Sequence, residues 1–135
     1  MIRVAFVGLG AMGLPMASNL LRKGFTVTGF DLSANALNAL EDAGGKRAGS
    51  ASEAATEADA LILMVVNAAQ AEAVLFEGGA LETLRENGVV VLMATCPPAA
   101  VEAIEERVRR AGRRLIDAPV SGGVAGAKAA TLTIM

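Results

Sequence analysis

Short, largely apolar runs punctuate the chain at residues 2–7, 26–30, 60–66 and 89–94, and between them apolar residues recur at helical spacing. The runs are continuous rather than alternating, which suits strands of a parallel sheet covered on both faces. Residues 11–22 place Leu14, Ala17, Leu20 and Leu21 on one helical face, and residues 33–43 do the same with Leu37 and Leu40 before Gly44 and Gly45 stop the helix. Residues 46–48 form a weak third strand. Ser50-Ala51-Ser52-Glu53 is a capping-box pattern that opens a short helix to about residue 57. Helices are predicted at 68–76, 80–85 and 98–111. A strand follows at 113–117, then a turn-rich loop at 118–123, and a last strand over 131–135. The alternation of strand and helix predicts one α/β domain over residues 1–135: an open, doubly wound, mostly parallel sheet in three layers.

The first strand runs into Gly8-Leu9-Gly10-Ala11-Met12-Gly13, a G-x-G-x-x-G turn opening a helix. Each glycine answers a separate need: Gly8 a sharp turn, Gly10 the approach of a pyrophosphate to bare backbone, and Gly13 close packing of helix on strand. The helix start offers free N–H groups and a partial positive charge. Asp31 closes the second strand eighteen residues after Gly13, where a carboxylate reaches the adenosine ribose hydroxyls of a dinucleotide. Leu32, Ser33 and Ala34 supply no arginine for a 2′-phosphate, and Asp31 would repel one, so NAD is favoured over NADP. The competing reading is an ordinary tight turn with Asp31 capping a helix. Together these features specify a Rossmann-like fold.

Composition narrows the classes. The chain is 53% hydrophobic but 3% aromatic, so its interior is aliphatic, and its net charge of −2 comes with no basic face for nucleic acid. No apolar run is long enough to span a bilayer, and the first residues lack the pattern of a secretory signal; the cytoplasm is the expected compartment. Cys96 is the single cysteine, which excludes an intrachain disulfide and a cysteine-built metal site; no metal is expected. The chain contains no histidine, so it holds neither a histidine acid for hydride transfer nor a Ser/His or Cys/His nucleophile pair.

Two polar residues remain ambiguous. Asn67 is either a helix N-cap or a ligand contact, and the two roles are compatible. Thr95 is either a cap or a ligand contact at the carboxyl end of a parallel strand. Glu102, Glu105, Glu106, Arg107, Arg109 and Arg110 form a solvated helix face, acids early and bases late. Met12, Met16, Met64 and Met93 are read as packing residues.

The segment DAPVSGGVAG beginning at Asp117, taken with GLGAMGLPMASNL beginning at Gly8, closely resembles the β-hydroxyacid dehydrogenases, relatives of 3-hydroxyisobutyrate dehydrogenase, over essentially the whole chain. Within that family MVVNAAQAEAVLF and TLTIM look most like L-threonate dehydrogenases. The sister 6-phosphogluconate dehydrogenases share the SGG element but usually carry an Asn-Arg pair after the second strand and lack Asp-Ala-Pro before the SGG segment. The resemblance implies cofactor contacts at Gly8, Leu9, Gly10, Ala11, Met12 and Gly13, at Asp31, at Met64, Val65 and Asn67, and at Thr95. It implies substrate binding at Ser121, Gly122 and Gly123, where a hydroxyl and two backbone N–H groups suit a carboxylate.

In that family the catalytic lysine lies on a long interdomain helix beyond the SGG segment, ahead of a C-terminal helical domain used for dimerisation. Lys23 and Lys46 sit on the wrong elements, and Lys128 falls at a loop position where the family needs no lysine. The expectation is therefore an NAD-binding domain without its helical partner domain, inactive alone, prone to self-association through apolar surface near the SGG loop, and made to serve a small hydroxy-acid substrate. The alternatives are a stand-alone NAD-binding or sensor module without catalysis, or a domain of the 6-phosphogluconate dehydrogenase kind.

Overall fold

The structure is a computed structural model that describes residues 2–134. Six strands form a parallel sheet in the order β3-β2-β1-β4-β5-β6: β1 (Arg3–Val7), β2 (Thr26–Phe30), β3 (Lys46–Arg47), β4 (Ala60–Leu63), β5 (Val89–Leu92) and β6 (Arg114–Asp117). The connections are α1 (Gly13–Arg22), α2 (Ala34–Asp42), α3 (Ala51–Ala55), α4 (Ala68–Glu72), α5 (Ala80–Thr83) and α6 (Pro98–Arg110). The chain order leaves the sheet centre in opposite directions at β1 and β4, the switch point at which open α/β sheets make their crevice.

Periodicity explains the layers. In β1 and β2 successive side chains point to opposite faces; Phe6, Val4 and Val27 join Leu9, Ala17 and Leu40 under α1 and α2. Ala5, Val7, Leu61, Leu63, Val90 and Leu92 join Ala54, Leu75, Leu84, Ile104 and Val108 under α3 to α6. Each buried leucine contributes about 1.5–3 kcal/mol on leaving water; Phe6 is fully buried, and Phe25, Phe30 and Phe76 pack at the core margins. Coverage is uneven. On the α1/α2 face, Ile62, Val91 and Ile116 lie in one register row, and neither Val91 nor Ile116 packs into either core cluster; Ile116 is 52% exposed. Among the described residues the sheet is thus covered on both faces over β1 and β2, while the third layer is open over β5 and β6 and the two residues of β3 are exposed.

Several boundaries differ from the sequence expectation. The strands expected over 60–66 and 89–94 both stop early, at Leu63 and Leu92, because β1 ends at Val7 and the three strands leave their shared ladder at one level. The first helix begins at Gly13 instead of residue 11, since the glycine turn occupies residues 8–12. The helix expected over 68–76 is α4 followed by a π-turn, Ala73–Glu77, closed by the Gly78 N–H donating to Ala73 O at 2.7 Å. The expected loop at 118–123 contains a short strand, β7 (Val120–Ser121), followed by a helix unforeseen in the sequence, α7 (Gly123–Ala129). Lys128 therefore lies in the last turn of a helix, not in a loop. The glycines of GVAGAKA masked alanine-rich helix propensity, and packing supplies the rest: the Asn19 side-chain amide donates to Ala127 O at 2.6 Å, tying α7 to α1. β8 (Thr133–Ile134) pairs antiparallel with β7, and Met135, the end of the expected last strand, lies outside the described residues.

No helix among the described residues is long and apolar enough to cross a membrane.

Candidate functional site

Every strand of the sheet is parallel, so the residues that follow β1, β2, β4, β5 and β6 emerge along one carboxyl edge. Gly8 leaves β1 with φ +99°, and a Cβ there would sit 2.2 Å from the Met64 carbonyl oxygen. Gly13 is equally constrained, for its Cβ would lie 1.8 Å from Gly8 O. Both glycines thus serve the closeness of β1, β4 and α1. Gly10 is different: a Cβ there meets nothing within 4 Å and its φ is ordinary. No contact within the chain demands glycine at this position.

The turn delivers α1 with Met12 at its N-cap, no side-chain capping bond and no acidic residue in the first turn. The Leu14 N–H donates to Gly10 O and Pro15 has none, so the N–H groups of Gly10, Ala11, Met12 and Gly13, without partners among the described residues, and the positive end of the dipole remain available for an anion. Asp31 stands beside the turn, half-buried. Its Oδ2 accepts from the Leu9 N–H at 2.7 Å and its Oδ1 from the Ser33 N–H at 2.8 Å. Two backbone donors fix the carboxylate, and each oxygen keeps a further lone pair for a hydroxyl donor. The capping role in α2 goes to Ser33, whose Oγ accepts from the Ala36 N–H. The helix-cap explanation of Asp31 therefore does not apply.

A cleft of about 440 Å³ runs along this edge, and it brings together Gly8, Gly10, Asp31, Met64 and Val65. Leu9 contributes no side chain to it, being buried in the core under α1. Ala11, Met12, Gly13, Asn67 and Thr95 lie outside its lining. Sequence reasoning missed the far wall: Leu32, Val66, Gln70, Ala73 and Val74. The signal was present in Leu32 and Val66, which are 95% and 77% exposed and so are apolar residues left in water at the mouth of a cleft.

Asn67 has a definite structural role. Its Oδ1 accepts from the Gln70 N–H at 2.9 Å, while Gln70 Oε1 accepts from the Val66 N–H at 2.9 Å. This reciprocal pair fixes the start of α4 and with it the Val66 wall. Thr95 is exposed and does not cap α6, whose N-cap is Pro97; its hydroxyl makes no hydrogen bond within the described residues. Ser121, Gly122 and Gly123 are exposed where β7 turns into α7, with Gly122 at φ +130° and Gly123 at φ +63°. Burial first, then Asp117 and Glu72, pushes the Cys96 thiol upward, so it is a poor nucleophile at neutral pH. Among the described residues no cluster of three His, Cys, Asp or Glu side chains could hold a metal ion.

The features around Gly10 and Asp31 fit a dinucleotide: open space over a glycine, an uncapped helix start and a fixed carboxylate with free lone pairs. Comparison with known proteins agrees. The family model for the NAD binding domain of 6-phosphogluconate dehydrogenase matches residues 3–135. L-threonate dehydrogenase of Cupriavidus necator is 41% identical over 133 residues, 98% of this chain and 45% of that protein. NAD-dependent L-serine dehydrogenase of Pseudomonas aeruginosa is 40% identical over 136 residues, 100% of this chain and 46% of that protein. The solved structure of Mycobacterium tuberculosis 3-hydroxyisobutyrate dehydrogenase with L-serine superposes with a TM-score of 0.95 at 35% identity, covering 100% of this chain and 46% of that one. The chain spans under half the length of these relatives. It belongs to this family of NAD-binding domains, the Rossmann-like cofactor domain that it shares with dehydrogenases of small hydroxy acids.

Proposed function

We propose that the chain is the cofactor-binding half of a cytoplasmic NAD-dependent dehydrogenase of a small hydroxy acid, of the L-threonate or 3-hydroxyisobutyrate type. The observation that carries this reading is Gly10, a glycine that nothing inside the chain requires, facing open space beside the fixed Asp31 carboxylate.

In this reading the backbone of Gly10, Ala11, Met12 and Gly13 holds the cofactor pyrophosphate at the start of α1. Asp31 accepts from the adenosine ribose hydroxyls through its remaining lone pairs, and Leu32, Val66 and Val74 enclose a flat apolar ring between them. Gly8 and Leu9 shape the turn, Met64 and Val65 floor the cleft, and Asn67 holds its wall in place. Thr95 offers a free hydroxyl further along the same edge. Bound there, NAD supplies the hydride acceptor.

Ser121 Oγ and the N–H groups of Gly122 and Gly123 bind the substrate carboxylate. The proton from the substrate hydroxyl goes to a lysine on a helical partner domain outside these residues. Lys23 follows the far end of α1, Lys46 opens β3 at the opposite sheet edge, and Lys128 lies in the last turn of α7 against Leu14, Pro15, Ser18 and Arg22. None of the three is placed to serve the cleft. Residues 1–135 alone should bind NAD and show no turnover. The same reading assigns the open face over β5 and β6 to self-association. Calorimetric titration with NAD and with NADP tests the cofactor site: saturable NAD binding with clearly weaker NADP supports it, and equal or absent binding of both rejects it.

A further inference from the structure

A second cavity, of about 540 Å³, lies at the amino-terminal edge of the sheet, the edge opposite the cleft. Its lining comes from the amino-terminal halves of three strands, with Arg3, Thr26, Thr28 and Lys46 on the sheet, and from Ala54 of α3 with Thr56 and Ala58 beyond it. The register puts the four sheet residues on one face. Arg3 pairs with Thr26 and Lys46 pairs with Thr28, while Thr26 and Thr28 are two apart on β2. An arginine and a lysine thus flank a threonine pair diagonally, and their side chains are long enough to converge over it.

The cations of this cavity make no ion-pair contact among the described residues. No carboxylate lines it. Neither Arg3 nor Lys46 has an ion pair or a side-chain hydrogen bond among the described residues. Asp59, the acid that follows Ala58, accepts instead from the Arg3 backbone N–H at 2.8 Å and from the Arg85 guanidinium at 2.5 Å, and feels the Arg3 side chain only through space. Thr28 is half-buried, and its hydroxyl makes no hydrogen bond within the described residues. A half-buried hydroxyl between two cations that make no ion-pair contact among the described residues, in a chain of net charge −2, is a receptor for negative charge and not an average patch of this surface. We propose that the Arg3, Thr28 and Lys46 cavity binds a multiply charged oxyanion of the phosphate class, separately from the cofactor.

Inorganic pyrophosphate is the probe, titrated calorimetrically into the chain and into two variants, R3A/K46A and G10V. Arg3 and Lys46 are exposed and Gly10 meets open space, so both variants should keep the wild-type circular dichroism melt. The inference expects saturable binding to the wild type, weakening of at least about tenfold in R3A/K46A, and retention in G10V. K46Q alone should lose part of the affinity, and R3K should keep most of it. Unchanged binding by R3A/K46A overturns the inference, as does loss in G10V alone, which would put the anion at the glycine turn. Absence of saturable binding to the wild type also overturns it.

Discussion

A methyl group added at Gly13 would press on the Gly8 carbonyl oxygen, whereas one added at Gly10 would enter empty space. The two substitutions should therefore separate folding from binding. G13A is expected to lower unfolding free energy by about 1–3 kcal/mol or more in urea titration. G10A should leave it within about 0.5 kcal/mol while weakening NAD at least about tenfold. Asp31 combines both roles. D31A strands the Leu9 and Ser33 N–H groups, one of them half-buried, and should cost about 1–3 kcal/mol of stability as well as abolishing the preference for NAD over NADP. The glycine triad and the acid were legible in sequence because their spacing is itself the chemical requirement. Leu32, Val66 and Val74 were not, because an apolar residue declares a ligand wall only once its exposure is known.

Elements were legible where periodicity was long and obscured where it was short. α6 carries its amphipathic pattern over thirteen residues, and its expected solvated face holds the pairs Glu105–Arg109 and Glu106–Arg110, with Arg107 lying over the Phe76 ring 3.5 Å from its centroid. α7 is short and glycine-interrupted, so its helix exists through docking on α1 and left no periodic trace. The π-turn after α4 rests on i→i+5 bonding, such as that from the Gly78 N–H to Ala73 O, which no spacing rule reports. The α4 cap gives a test at this scale. N67A should cost about 0.5–2 kcal/mol in urea unfolding and loosen the Val66 wall, seen as faster amide exchange at Val66 and Gln70.

The ends of β1 and α5 meet through Asp59, where the Arg3 N–H first and then the Arg85 guanidinium hold the carboxyl below its usual range. A depressed folded-state value adds stability that is present above the unfolded value and is lost as pH falls through the folded one. The stability difference between wild type and D59N should therefore be constant near neutrality and shrink below about pH 4. A difference that grows on acidification would contradict the assigned partners.

At the scale of the whole molecule the sheet is covered on both faces over β1 and β2 and on one face over β5 and β6, with Val91 and Ile116 outside the packed clusters. The sequence showed the strands as continuous apolar runs, as two-sided burial requires, but could not show that one half lacks its second cover. Apolar surface of this kind drives association. Light scattering should find oligomers that grow with concentration, and I116E should return the chain to monomer. A wild-type monomer at high concentration would remove the proposed self-association. The central claim is that the open space above Gly10, beside Asp31, is shaped for a dinucleotide. Calorimetric titration of the chain with NAD, with NADP beside it, measures this most directly: the account predicts saturable one-site NAD binding that is markedly tighter than NADP and is weakened at least about tenfold in G10A. Absence of binding, or binding indifferent to Gly10, would contradict it.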